Sequence, residues 1–145
     1  MTDNIKLTGR AIIQRKDKNN NIIDTIEINN LIVNTGKERV AGLINGVSTL
    51  FFKAIAIGTD STSPSGSNTA LLAEVKRELA TLTYVAPNQA VFEHTFTFTS
   101  TYSICEAGIL DNEVSGGVLL NRLIFSARSV SSLINLYIKI IITVS

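Results

Sequence analysis

The stretch Leu133-Ile134-Asn135-Leu136-Tyr137-Ile138-Lys139-Ile140-Ile141-Ile142-Thr143-Val144 decides the fold class. Leu136, Ile138, Ile140, Ile142 and Val144 fall on one side of a two-residue period, with Tyr137, Lys139, Ile141 and Thr143 on the other. A helix would scatter both sets around its circumference, whereas a pleated strand sends alternate side chains to opposite faces. One face is wholly aliphatic; the other mixes Tyr137 and Ile141 with polar residues. A strand of this kind is buried in a core on one side and offers a contact on the other, which makes Tyr137 and Ile141 candidate interface residues.

The same alternation recurs upstream. Thr95, Thr97 and Thr99 alternate with Phe96 and Phe98 in the run Ala90 to Thr99. Near the start, Ile5, Leu7, Ala11 and Ile13 oppose Lys6, Thr8, Arg10 and Gln14. The amide-rich run Asp17-Lys18-Asn19-Asn20-Asn21 then turns the chain into a second strand carrying Ile22, Asp24, Ile26 and Ile28 on one face. Residues 1–30 therefore read as an N-terminal β-hairpin. Further strands are expected at Phe51 to Ile57, Glu78 to Val85, Ser103 to Leu110 and Val118 to Ser126, with Asp111 to Gly117 as a hairpin loop. The polar run Thr59 to Asn68 reads as a surface loop, followed by a single capped turn at Ala70 to Ala73.

One segment breaks the pattern. Val40, Leu43 and Ile44 recur at helical spacing behind Asn34 and Thr35, Glu38 lies three residues after Thr35, and Asn45-Gly46 closes the run. That arrangement predicts a helix of about three turns with a capping box at Thr35 and Glu38. The whole, residues 1–145, reads as one all-β domain: an antiparallel β-sandwich of about eight strands with one short α-helix near residues 35–45.

Composition limits the chemistry. The 145 residues include one His, one Cys and no Trp, and their thirteen Lys and Arg nearly balance twelve Asp and Glu. One cysteine excludes an internal disulfide framework and a Cys-rich zinc site, and one histidine excludes two-histidine metal motifs within a chain. No cofactor is implied. A near-neutral chain lacks the basic excess of proteins that hold nucleic acid through its phosphates. No apolar run reaches the length of a membrane span, and the segment MTDNIKLTGR has no apolar signal region. Thirteen Asn, thirteen Ser and fifteen Thr leave a surface built of hydroxyls and amides rather than charges.

A catalytic reading would pair His94 as base with Cys105 as nucleophile, and no signature motif surrounds either. By alternation His94 shares a face with Phe92, Phe96 and Phe98, so it reads as a hydrogen-bonded core or interface residue. Glu74 and Arg77 stand three apart, as a local ion pair would on a helical turn. Glu106 and Arg122 each interrupt an apolar strand, where an ionised group must be paired or solvated. These four read as structural ion pairs. Arg10, Arg15, Lys16 and Lys18 cluster on the first hairpin, with Asp17, Asp24 and Glu27 among them. No aromatic residue interleaves with them to stack on bases, so they read as a solvated face.

Five segments in a fixed order carry a resemblance. They are Leu31 to Lys37 leading into the helix, Ala54 to Thr59 before the Ser/Thr loop, Thr69 to Arg77, Ile104 to Leu110, and Leu119 to Phe125, with an Ile-rich strand at the end. The order resembles a broad group of small tail-associated structural proteins of tailed bacteriophages, of the tail fibre, collar or tail-adaptor type. The resemblance implies a virion component, made in the host cytoplasm, that assembles as a ring or trimer in the tail, neck or fibre base beside other phage proteins. It implies no catalysis. Glu and Arg occupy the places of Glu74, Arg77, Glu106 and Arg122 in that group. The first hairpin is less characteristic, which makes it a subunit-contact element and adds Arg10 and Arg15 to the interface candidates. The alternative from the residues alone is a receptor- or carbohydrate-binding β-sandwich module. Sugar platforms need exposed aromatics, and this chain offers Tyr84, Tyr102 and Tyr137 beside six Phe.

Overall fold

Period-two segments bury one face only if they pair with one another, and the computed structural model, which describes residues 4–145, pairs them all. The described residues form β1 (Leu7–Asp17), β2 (Ile22–Ile32), α1 (Asn34–Ile44), β3 (Ala54–Gly58), β4 (Glu74–Leu79), β5 (Thr81–Val85), β6 (Gln89–Phe96), β7 (Tyr102–Leu110), β8 (Leu119–Val130) and β9 (Ile134–Val144). There are nine strands rather than eight, because the expected strand Glu78 to Val85 is divided at Ala80. All neighbours are antiparallel, in the order β4-β3-β7-β8-β2-β1-β9-β6-β5.

This ribbon folds on itself at two corners. β2 runs beside β1 from Ile22 to Asn30, then Leu31 and Ile32 leave it to pair with Arg122 and Asn121 of β8. At the other corner β4 pairs with β3, the Ala80 amide donates to the Lys53 carbonyl at 2.9 Å, and β5 pairs with β6. The result is a sandwich of two sheets, β2-β1-β9-β6-β5 and β4-β3-β7-β8, joined at both sides like a flattened barrel.

The interior is what the alternation predicts. Ile13, Ile138, Ile140, Phe92 and Phe96 from one sheet meet Ile55, Ile57, Ile109, Leu123 and Phe125 from the other. Burying each such side chain fully contributes about 1.5–3 kcal/mol. A second, smaller cluster of Val33, Ala56, Leu71, Leu110 and Leu119 lies outside the β3-β7-β8 sheet, sealed by the Ser/Thr loop and the start of α1.

Turn chemistry sets the register. The Asp17 carboxylate accepts the N–H groups of Asn19 and Asn21, both at 2.9 Å, and Asn20 takes a left-handed φ of 66°. These backbone bonds, from Asn21 first, hold the Asp17 carboxyl below the usual carboxylate range. In the β7–β8 loop the Asn112 side chain accepts from Val114 and Ser115.

α1 ends as expected, with Gly46 at φ +77° after Asn45. Its start corrects the capping-box expectation: the N-cap position is Val33, and no side chain caps it. The Thr35 hydroxyl instead donates to the Leu119 carbonyl at 3.0 Å, while the Val33 amide donates to Leu120 at 3.0 Å. Tethering to β8 takes the place of a local cap. Gly36 explains how the helix comes so close, since a Cβ there would stand 2.4 Å from the Leu120 carbonyl oxygen. The expected turn at Ala70 to Ala73 is not helical but a bent loop, because Leu72 and Ala73 send their amides to Glu106 rather than back along the chain.

Candidate functional site

The Glu106–Arg122 pair is the most deeply buried charged centre of the described residues. β7 and β8 place both side chains on the outer face of their sheet, where Arg122 pairs with Gly108 and Glu106 with Ile124 in the ladder. A Cβ at Gly108 would stand 2.6 Å from the Asn121 carbonyl oxygen and 3.1 Å from Leu71, so the glycine lets Leu71 pack onto this face. Arg122 Nε donates to Glu106 Oε2 at 3.0 Å, and neither side chain is exposed. Isolated charges at this depth would cost several kcal/mol each, so the remaining donors and acceptors matter. Glu106 also accepts the amides of Ala73 at 2.7 Å and Leu72 at 3.1 Å. Arg122 donates to the Thr62 carbonyl at 2.9 Å and approaches Asp60 Oδ1 at 3.3 Å. The pair thereby clamps both ends of the 59–73 loop onto the sheet. Gly58 completes the fit, because a Cβ there would lie 2.4 Å from Glu106 Oε1.

Glu74 and Arg77 also pair, at 2.7 Å, but on a strand rather than on the helical turn their spacing called for. In an unbroken strand, positions three apart face opposite sides. The register slips between Ile57 and Gly58, opposite this segment, and such a bulge returns the two side chains to one side. Arg77 then reaches the carbonyls of Gly116 at 2.7 Å and Asn112 at 3.1 Å, tying β4 to the β7–β8 loop.

His94 and Cys105 stay apart, on different sheets. The His94 Nε2 meets Glu78 Oε2, and Glu78 is paired with Lys76 at 3.2 Å, whose ammonium also donates to the Thr97 carbonyl at 2.6 Å. These links join β4 to β6 across a corner where no backbone ladder runs. His94 packs edge-on to Phe96, with ring centroids 4.7 Å apart. Cys105 is buried at a bulge of β7, and burial first, then the Glu106 and Asp60 carboxylates, pushes its thiol up. That is the opposite of the activation a nucleophilic thiolate needs.

The interface candidates lie on the β1 and β9 side. Arg10 is exposed and paired with Glu27 at 2.6 Å. Arg15 binds Asp24 through Nε at 2.9 Å and Nη2 at 2.6 Å, with Arg128 at 3.4 Å on the same oxygen. Tyr137 is half-buried under the Lys16 ammonium, 4.4 Å from the ring centroid. Ile141 sits between Arg10 and Val91 in the ladders and is only 4% exposed, so its own neighbours cover it.

β5 presents exposed apolar side chains, with Leu82 45% and Tyr84 71% exposed. Phe52, Leu82, Tyr84, Ala90 and Phe92 line an apolar groove of about 270 Å³ beside β5. The sequence carried a signal for this strand: charge is dense from Glu74 to Glu78 and absent from Thr81 to Val85. A larger cleft of about 330 Å³, between α1 and the β7–β8 loop, is occupied by the Arg39–Asp111 ion pair at its rim. Among the described residues no three His, Cys, Asp or Glu side chains come together to hold a metal, and no helix is long and apolar enough to cross a membrane. Compared with known proteins, the chain matches no family model, no curated protein and no solved structure.

Proposed function

We propose that this chain is a non-enzymatic virion structural protein that assembles with copies of itself, as a ring or trimer, in the tail, neck/collar or fibre base of a tailed bacteriophage. The observation that carries the reading is the convergence of the five resemblance segments on one clamp. Val33 and Asn34 bind Leu120 and Gly66, Gly58 abuts Glu106, Leu72 and Ala73 donate to Glu106, and Arg122 closes the set. Segments up to about ninety positions apart thus form one structural unit. The charged groups of this unit are spent on holding loops in place, which is the economy of a packing protein. Exposed apolar side chains around β5 supply surface for neighbours.

A tagged chain tests the reading. It should band with density-purified particles of the producing phage, at a fixed copy number per particle. Recovery only in the particle-free fraction contradicts it.

A further inference from the structure

We infer that the free edge of β5 is the contact between copies, pairing antiparallel with β5 of a second copy about a two-fold axis at Thr83. The inference rests on the assembly reading above and names the surface it uses. β5 is a terminal strand of the order, bonded to β6 alone. From Thr81 to Val85 no backbone group makes a hydrogen bond outside that ladder, and all five residues are exposed. An unpaired row of N–H and C=O groups is a template for another strand.

Charge decides which strand. The other terminal strand, β4, carries Glu74, Lys76, Arg77 and Glu78, and these charges are already engaged within the chain, Arg77 with Glu74 and Glu78 with Lys76 and His94. The five residues of β5 carry no charge, and a copy approaches them without repulsion. The sequence Thr-Leu-Thr-Tyr-Val is also self-complementary. Centred on Thr83, Leu82 of each copy lies across from Tyr84 of the other, and Thr81 from Val85. Aromatic–aliphatic cross-strand pairs of this kind are favourable. Leu82 and Tyr84 also line the apolar groove with Phe52 and Phe92, so pairing would extend that apolar surface across the axis. Such a contact closes on itself as a dimer, so of the two assemblies it selects a ring of an even number of copies, repeated through a second surface, over a trimer.

Thr83 faces its own symmetry mate in this arrangement, which sets the test. The full-length chain, Thr83→Lys and Thr83→Glu are compared by sedimentation over a range of concentrations, alone and as an equal mixture of the two variants. Each variant alone should weaken association by about tenfold or more at low salt, since like charges meet. The mixture should restore it. In the unsubstituted chain, amide exchange from Thr81 to Val85 should slow as concentration rises, a readout that needs no variant. Association of either variant equal to that of the unsubstituted chain, a mixture no tighter than its components, or β5 amides indifferent to concentration overturns the β5 contact and leaves self-assembly standing. An unsubstituted chain that stays monomeric at every concentration overturns both.

Discussion

Arg122 Nε lies 3.0 Å from Glu106 Oε2, and neither side chain reaches solvent. Each charge is tolerated only because the other is present and because backbone groups of the 59–73 loop fill the remaining valences. Removing one partner strands the other, which typically costs about 3–5 kcal/mol. Glu106→Gln and Arg122→Met should each lower the urea midpoint by the corresponding amount. Both should also expose the 59–73 loop to proteolysis at concentrations that leave the parent chain intact. A loss below about 1 kcal/mol, within the range of exposed pairs, would show that the clamp does not hold the loop.

The approach of α1 to β8 depends on a missing side chain. A Cβ at residue 36 would stand 2.4 Å from the Leu120 carbonyl oxygen and 2.7 Å from its Cα, both backbone atoms that cannot rotate away. Gly36→Ala should therefore destabilise by about 1–3 kcal/mol, as overpacking does, although alanine is the better helix former. Thermal unfolding reads this directly, and an unchanged or raised Tm would contradict the close contact.

Thr35 offers a sharper distinction. As a helix cap it would be replaced without loss by Asp, which caps at least as well. In the structure its hydroxyl donates to Leu119 O, and a carboxylate has no proton to give. Thr35→Asp should cost more than Thr35→Val, whose loss should be about 0.5–1.5 kcal/mol. Equal or greater stability in Thr35→Asp would restore the capping role.

Asp24 governs part of the acid response. Its carboxyl is held below the usual carboxylate range, first by the hydrogen-bonded Arg15 guanidinium and further by Arg128. A carboxylate with a lowered folded-state pKa contributes stability that is fully present above its unfolded value and is lost as pH falls through the folded one. Asp24→Asn should lower stability by about 1–2 kcal/mol at pH 7 and flatten the fall in stability below pH 3.8. Denaturant midpoints from pH 7 to pH 2 measure both effects, and parallel curves for parent and variant would count against the Arg15–Asp24 bond.

Much of this was legible in the residues because strand period is a local signal. β9, β1 and the first hairpin follow directly from alternation, and Glu106 and Arg122 stood out as charges inside apolar strands. Features set by distant partners were not legible. The division of the strand at Ala80 depends on which sheet each half joins, and the bulge that brings Glu74 to Arg77 depends on β3. Thr35 reads as a cap because no local rule reveals Leu119 beside it. The burial of Ile141 likewise depends on Arg10 and Val91, which are far away in sequence.

Self-assembly is the centre of the account, and light scattering of the purified full-length chain across a hundredfold range of concentration tests it most directly. The expected result is a discrete oligomer, a whole multiple of the chain mass, that forms as concentration rises and is retained at moderate salt. A single monomeric species at the highest concentration reached would contradict it.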